Sequence, residues 1–410
     1  MVKCNKLLCA LVMVSFKLVE SYLNSGICLK IMVLGCGNIG AVVARDFAES
    51  LPSAEVVMAD VDKNRARQAA TQIGLENVGW TQANATDRSE LKTKLKSFDV
   101  AVGALPGGLG YQVCKAAISA KVDMVDVSYM PEDVMTLNHA AFKAGVSIVP
   151  DCGMSPGLCS MLVGRGVSRL DEVEKAHMLN GGLPEKPVPP LGYVVTWSVR
   201  DLISMYSRKV GIVRDGKVIR VEALSGVEEI DFPGVGRLEA FYTDGLRTLL
   251  YTVKAKEMWE KTLRYPGHVE KISLLKDLGF FGPETVEVAG TKVDPKEVTA
   301  KLFERKLKRP EIPDIVVMLI RVSGLKGDKR IQYVYHVLDH YDKERRVTSM
   351  ARTTAYTASI VARFLARKII EKKGVIPPEK LGMDEALFDK IIGELKKKRV
   401  TIKEEKEILD

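Results

Sequence analysis

The chain has 410 residues, with 61 Lys and Arg against 52 Asp and Glu and a formal charge of +9, enough length for two or three domains that each bury a core. Its 46% hydrophobic and 28% charged content is that of an ordinary globular protein, and the basic stretches 367–373 and 396–399 lie among interleaved acids, which reads as solvated helix faces and not as a nucleic-acid groove. The seven cysteines are odd in number and lack a C-x-x-C pair, which excludes a disulfide framework and a zinc site and fits reduced thiols in the cytoplasm.

Residues 1–29 carry a basic start and an apolar run, Leu7–Phe16. Ten residues cannot span a bilayer, and no small-x-small cleavage site follows. This segment is expected to be an extension outside the functional enzyme, with no membrane association.

Ile31–Leu34 reads as a buried strand that runs into Gly35-Cys-Gly37-Asn-Ile-Gly40. The first glycine allows a tight turn, the second lets backbone approach a pyrophosphate, and the third lets the helix pack on its strand. Asn38 and Ile39 then open the helix whose positive end faces the phosphates. Residues 54–60 form the next strand and end in Asp60, twenty residues past Gly40. A carboxylate there accepts from the ribose hydroxyls and repels a 2′-phosphate, so the expected cofactor is NAD. Further apolar runs at 78–82, 98–105, 123–127 and 146–150 alternate with helical patterns at 62–73, 87–96, 110–120 and 132–144. Residues 30–153 are therefore an α/β domain, a Rossmann-type doubly wound parallel sheet.

Ligands of such sheets bind beyond the carboxyl ends of the strands. Ala104, Leu105 and Pro106 leave the fourth strand, Asp126 the fifth, and Asp151 and Met154 the sixth. All but Asp151 are expected to line the cofactor. Asp126 and Asp151, two acids at one crevice, suit a cationic substrate.

Residues 154–348 read as an α+β domain for substrate binding and dimerisation. Strand patterns fall at 172–182, 193–196, 208–224, 228–242, 313–323 and 330–340, and helices at 197–206, 246–252 and 294–306. The segment 183–191, with Pro184, Pro187, Pro189 and Pro190, is a stiff surface loop. From Ser349 one helix is expected to reach Lys373 and end at Gly374 as its cap. The carboxyl-terminal helices, 349–410, should pack back on the first domain, with the amino terminus near Thr353 facing the cofactor.

The chain resembles the saccharopine dehydrogenase family, and within it the lysine 6-dehydrogenase group. The likeness rests on Gly35-Cys-Gly-Asn-Ile-Gly40, Val149-Pro-Asp-Cys-Gly-Met-Ser-Pro-Gly157, Gly181-Gly-Leu-Pro184, Leu238-Glu-Ala-Phe241, Thr262-Leu-Arg-Tyr-Pro-Gly-His268, Met350-Ala-Arg-Thr-Thr-Ala-Tyr-Thr357 and Gly374-Val-Ile-Pro-Pro378. The resemblance implies a homodimer whose second domain closes over NAD and an amino acid. It also implies oxidative deamination at the terminal carbon of L-lysine. Saccharopine or carboxyspermidine-type oxidation of a secondary amine is the alternative, and a non-catalytic NAD-binding sensor a further one.

Lysine's ammonium, with a pKa of about 10.4, must lose a proton before oxidation. His177 is the expected acceptor and His268 the other candidate, since an ordinary imidazole titrates near the required range. The substrate α-carboxylate calls for a guanidinium. Arg247 is assigned to it, with Tyr242 and Thr243 as nearby donors, and Arg264 is assigned to the fold. Metal chemistry has no support in the sequence.

Overall fold

The protein, a computed structural model, is described over residues 29–409. The extension expected at 1–29 therefore lies, Leu29 apart, outside the described residues. Lys30–Leu34 (β1), Glu55–Asp60 (β2), Val78–Gln82 (β3), Val100–Gly103 (β4), Asp123–Asp126 (β5) and Ser147–Val149 (β6) pair in parallel in the order β6-β5-β4-β1-β2-β3. The central strands are apolar on both faces because helices cover both. Chain order reverses between β1 and β4, which opens a crevice beyond their carboxyl ends.

The second sheet is mixed. Its strands are Glu172–Pro184 (β7), the hairpins Lys209–Arg214 (β8) with Lys217–Glu222 (β9) and Glu228–Phe232 (β10) with Gly236–Tyr242 (β11), and Glu257–Arg264 (β12). A small separate hairpin, Val286–Val288 (β13) with Thr291–Val293 (β14), precedes the long pair Asp314–Lys326 (β15) and Lys329–His340 (β16). The order is β10-β11-β12-β7-β15-β16, with the β8–β9 hairpin attached to β12. The β12–β7 pair is parallel, register Thr262 to Asn180, and the others in this sheet are antiparallel.

The return helix, Ser349–Ala366, is buried along nearly its whole length between the two sheets. It packs on the helix Asn38–Ser50, on β4 and β5, and on β15. It is shorter than expected. Arg367 caps it and Lys368 turns to a φ of 56°, so the chain leaves the helix before Gly374. Gly374–Val375 (β17) instead joins the first sheet beside β6 as a seventh parallel strand. The last element is also not helical: Ile402–Leu409 (β18) pairs antiparallel with β16 and extends the second sheet.

Other expectations shift locally. β12, the helix His268–Asp277 and the β13–β14 hairpin were not anticipated. Residues 193–196 form no strand; Val195 instead donates its N–H to the Leu307 carbonyl at 2.9 Å. β15 runs through Gly324 to Lys326, and the chain reverses at Gly327, whose φ is 57°. Among the described residues, no helix is long and apolar enough to cross a membrane.

Candidate active site

A groove of about 860 Å³ lies beyond the carboxyl ends of the first sheet. Gly35, Gly37, Asn38, Ile39, Asp60, Ala104, Leu105 and Pro106, all expected at the cofactor, line it. The glycines divide the work. Gly35 has a φ of 96°, and a β-carbon there or at Gly40 would strike the Ala104 or the Gly35 carbonyl, respectively. A β-carbon at Gly37 would meet nothing, so the backbone is open there to a ligand. No side chain caps the helix Asn38–Ser50, which leaves its positive end for an anion. These features fit a dinucleotide. Asp60 is 7% exposed; it accepts from the Cys36 N–H at 3.0 Å and the Asp62 N–H at 3.0 Å, with Arg65 3.7 Å away.

A smaller cavity of about 110 Å³ adjoins the groove and shares Ile39, Val127, Tyr129 and Trp197 with it. β12 forms one wall. Residues two apart on a strand face the same way, so Glu260, Thr262 and Arg264 all line this space. Among the described residues, Glu260 is the one carboxylate and Arg264 the one cation of the lining. Glu260 accepts from Asn180 Nδ2 at 2.8 Å and Thr243 Oγ1 at 2.6 Å. Burial pushes its carboxyl up to about 7, against the pull of those two hydrogen bonds. Arg264 is buried over the face of Tyr193, its Nη1 donates to the Leu263 carbonyl at 2.8 Å, and its Nε has no partner among the described residues. Met154, expected at the cofactor, lies in this cavity, as do Met350 and Thr354 of the return helix.

Several expectations need correction. Asp126 lines neither space. It is wholly buried, with Oδ1 accepting from the Ser128 N–H at 2.9 Å and Oγ at 2.5 Å, and with Oδ2 turned beneath Gly103. Burial raises its carboxyl to about 7, opposed by the Ser128 bonds and reinforced by Asp151. Asp151, 2% exposed, is also behind the wall, held by Arg247. The two acids are thus neighbours but not at the crevice mouth.

Arg247 does not reach either space. Its Nε donates to Asp151, Nη1 to Asp244 at 3.4 Å and Nη2 to the Met130 carbonyl at 2.6 Å, so each of its three nitrogens is engaged within the protein. Arg264, assigned to the fold, is the guanidinium that the cavity contains.

His177 sits on the face of β7 opposite Asn180. It stacks on Trp259 at 4.0 Å and pairs with Glu257 at 3.0 Å, and burial takes its imidazole down to about 4. His268 is 1% exposed, bonded to Tyr206 Oη at 2.8 Å and the Leu191 carbonyl at 2.9 Å, and burial lowers it to about 3. Neither histidine lines the cavity. Tyr242 packs edge-on against Trp259, away from it, whereas Thr243 is in the lining as expected. The helix terminus near Thr353 comes to the groove through its N-cap residue, Thr348, but its first N–H groups are taken within the protein. Asp314 accepts the Ser349 and Met350 N–H groups at 2.6 and 2.9 Å, and Thr353 is fully buried.

Sequence reasoning missed Glu260 and Asn180. The run Glu257–Arg264 carries four charged residues besides its apolar ones, which masks strand alternation. The signal was the i, i+2, i+4 placement of Glu260, Thr262 and Arg264.

Comparison with known proteins matches residues 31–149 to the saccharopine dehydrogenase NADP binding domain and residues 153–400 to the saccharopine dehydrogenase C-terminal domain. The chain belongs to the saccharopine dehydrogenase family. Residues 31–149 are accordingly a pyridine-nucleotide-binding domain. It is 30% identical over 261 residues to saccharopine dehydrogenase (NADP(+), L-glutamate-forming) of Saccharomyces cerevisiae, covering 60% of this chain and 57% of that one. It is 24% identical over 343 residues to the mitochondrial alpha-aminoadipic semialdehyde synthase of Rattus norvegicus, spanning 77% of this chain but only 37% of that protein. With the carboxyaminopropylagmatine dehydrogenase of Synechocystis it shares 23% over 382 residues, 87% of this chain and 93% of the relative. The fold matches apo saccharopine dehydrogenase (L-Glu forming) from Saccharomyces cerevisiae, with a TM-score of 0.75 at 19% identity over 92% of this chain and 100% of that one.

Proposed function

We propose that the protein oxidatively deaminates the ε-amino group of L-lysine with NAD and water, giving the 6-semialdehyde, ammonia and NADH. The observation that carries this reading is the pairing of Glu260 and Arg264 on one wall of a small cavity beside the coenzyme groove. Four residues along a strand separate their Cα atoms by about 13 Å, a span that takes an extended lysine between them. Arg264 receives the α-carboxylate, and the planar fork with an open Nε suits it. Glu260 receives the ammonium.

A bound nicotinamide would supply the hydride acceptor for the substrate carbon. The chain itself must first remove a proton from the amine. Transfer from an ammonium at about 10.4 to the buried carboxyl near 7 is uphill by roughly 5 kcal/mol. Burial of the amine in the cavity lined by Tyr129, Trp197 and Met350 disfavours its charged form as well, which narrows that gap. Asn180 and Thr243 hold the carboxyl oxygens in place throughout. Asp60 supports NAD over NADP, because its carboxylate lines the groove at the end of β2 and repels a 2′-phosphate.

Oxidation of a secondary amine of the saccharopine type is the second reading, favoured by the names of the relatives. Saccharopine carries two further carboxylates. Arg200 is paired with Glu297, Arg208 with the Tyr129 carbonyl and Arg237 with Glu229, and none of the three lines the cavity. This favours lysine. The assay is NADH formation with L-lysine and with saccharopine separately at alkaline pH. Turnover with lysine and release of ammonia support the proposal, and turnover confined to saccharopine overturns it. Coenzyme binding with no turnover of either would leave the sensor reading.

A further inference from the structure

The groove is not walled by the first domain alone. Residues 195–201 and Glu304, Lys308, Arg309 and Pro310 of the second domain close it from the opposite side. We propose that Lys308 binds the diphosphate of the coenzyme across this groove, so that both domains hold the nucleotide. The inference rests on the groove being the coenzyme site and is independent of lysine as substrate.

Position argues for it first. The Val195 N–H bond to the Leu307 carbonyl, at 2.9 Å, ties the end of the helix Pro295–Leu307 to the segment 195–201, and Lys308, the next residue, lines the groove with that segment. Trp197 lines both the groove and the substrate cavity. Charge argues for it second. The other ions of this wall have partners: Arg200 with Glu297, Arg309 with Glu311, Glu304 with Lys301, and Asp201 with the Gly107 N–H at 3.1 Å. Among the described residues Lys308 has no ion pair, it is exposed, and its ammonium is free to turn into the groove. A diphosphate seated on the uncapped end of the helix Asn38–Ser50 would then meet backbone N–H groups on one side and an ammonium on the other.

The test is titration of the full chain with NADH and with NADPH, followed by quenching of tryptophan fluorescence, for wild type, Lys308→Ala and Lys308→Arg. An exposed ammonium–phosphate pair predicts roughly three- to fivefold weaker binding of both coenzymes to Lys308→Ala at low salt. The difference disappears at high salt, and Lys308→Arg restores affinity. An unchanged Kd for NADH overturns the proposal. So does a loss confined to NADPH, which would put the ammonium on a ribose phosphate, or a raised lysine KM at unchanged NADH affinity, which would put it on the substrate. Failure of the wild type to bind either nucleotide would remove the coenzyme reading itself, and this inference with it.

Discussion

The Arg247 guanidinium reaches Asp151 across the boundary between the two sheets, Nε to Oδ2 at 3.2 Å, and both residues hold a positive φ, 51° and 50°. With its other nitrogens on Asp244 and Met130, Arg247 ties the second domain to the first. Removing one partner of a buried pair leaves the other charge uncompensated, at a cost of about 3–5 kcal/mol. Arg247→Ala should therefore lower the denaturation midpoint clearly while the lysine KM of the folded fraction changes little. A selective rise in KM without loss of stability would return Arg247 to the substrate.

Glu260→Gln should lower kcat by about 10²- to 10⁴-fold, the range of a lost general base, and leave coenzyme affinity intact. In the wild type kcat/KM should fall below a pH of about 7 as Glu260 protonates; in the variant that acidic limb is gone. An unaltered profile would assign the limb to another group.

The same carboxyl predicts a stability signature. Its folded pKa, about 7, lies above the ordinary carboxylate value of 4.5. Its contribution to stability is therefore greatest below pH 4.5 and is lost as pH rises to about 7. Glu260→Gln removes that slope and should gain on the wild type by on the order of 3 kcal/mol between those limits. Parallel stability curves from denaturant titrations at pH 4.5 and 7.5 would contradict this.

Arg264→Lys keeps the charge but loses the fork geometry. The lysine KM should rise about a hundredfold, which is 2–3 kcal/mol of a buried charged contact, with the NADH Kd unchanged. Equal losses for substrate and coenzyme would mark Arg264 as a packing residue.

Asp60→Ser should narrow the preference between NAD and NADP by roughly tenfold, which is 1.4 kcal/mol of lost repulsion. Because Asp60 also holds the Cys36 N–H, some loss of NAD affinity should accompany it. A preference ratio identical to that of the wild type would mean that the carboxylate serves the glycine turn alone.

Much of the first domain was legible because buried parallel strands read as continuous apolar runs between helices, and because each glycine of the Gly35–Gly40 turn has a steric reason visible in its spacing. The site was less legible. β12 interleaves Glu257, Glu260, Lys261 and Arg264 with its apolar residues, and a strand whose cavity-facing side is polar loses the alternation that reveals strands. His177 and His268 have the right side chain for a base, but period-2 geometry turns one toward Trp259 and close packing seals the other against Tyr206. Asp126 and Asp151 do end their strands, yet whether a carboxylate faces the crevice or the core depends on partners distant in sequence, here Ser128 and Arg247. The shortened return helix and the strands β17 and β18 are likewise set by open sheet edges that accept a partner.

The most direct test is a crystal structure of the full chain with NAD and L-lysine bound. The account predicts the ε-nitrogen within about 2.7–2.9 Å of a Glu260 oxygen and the α-carboxylate on the Arg264 guanidinium. Lysine bound against Asp126 or Arg247 instead, or with its two ends reversed along β12, would contradict it.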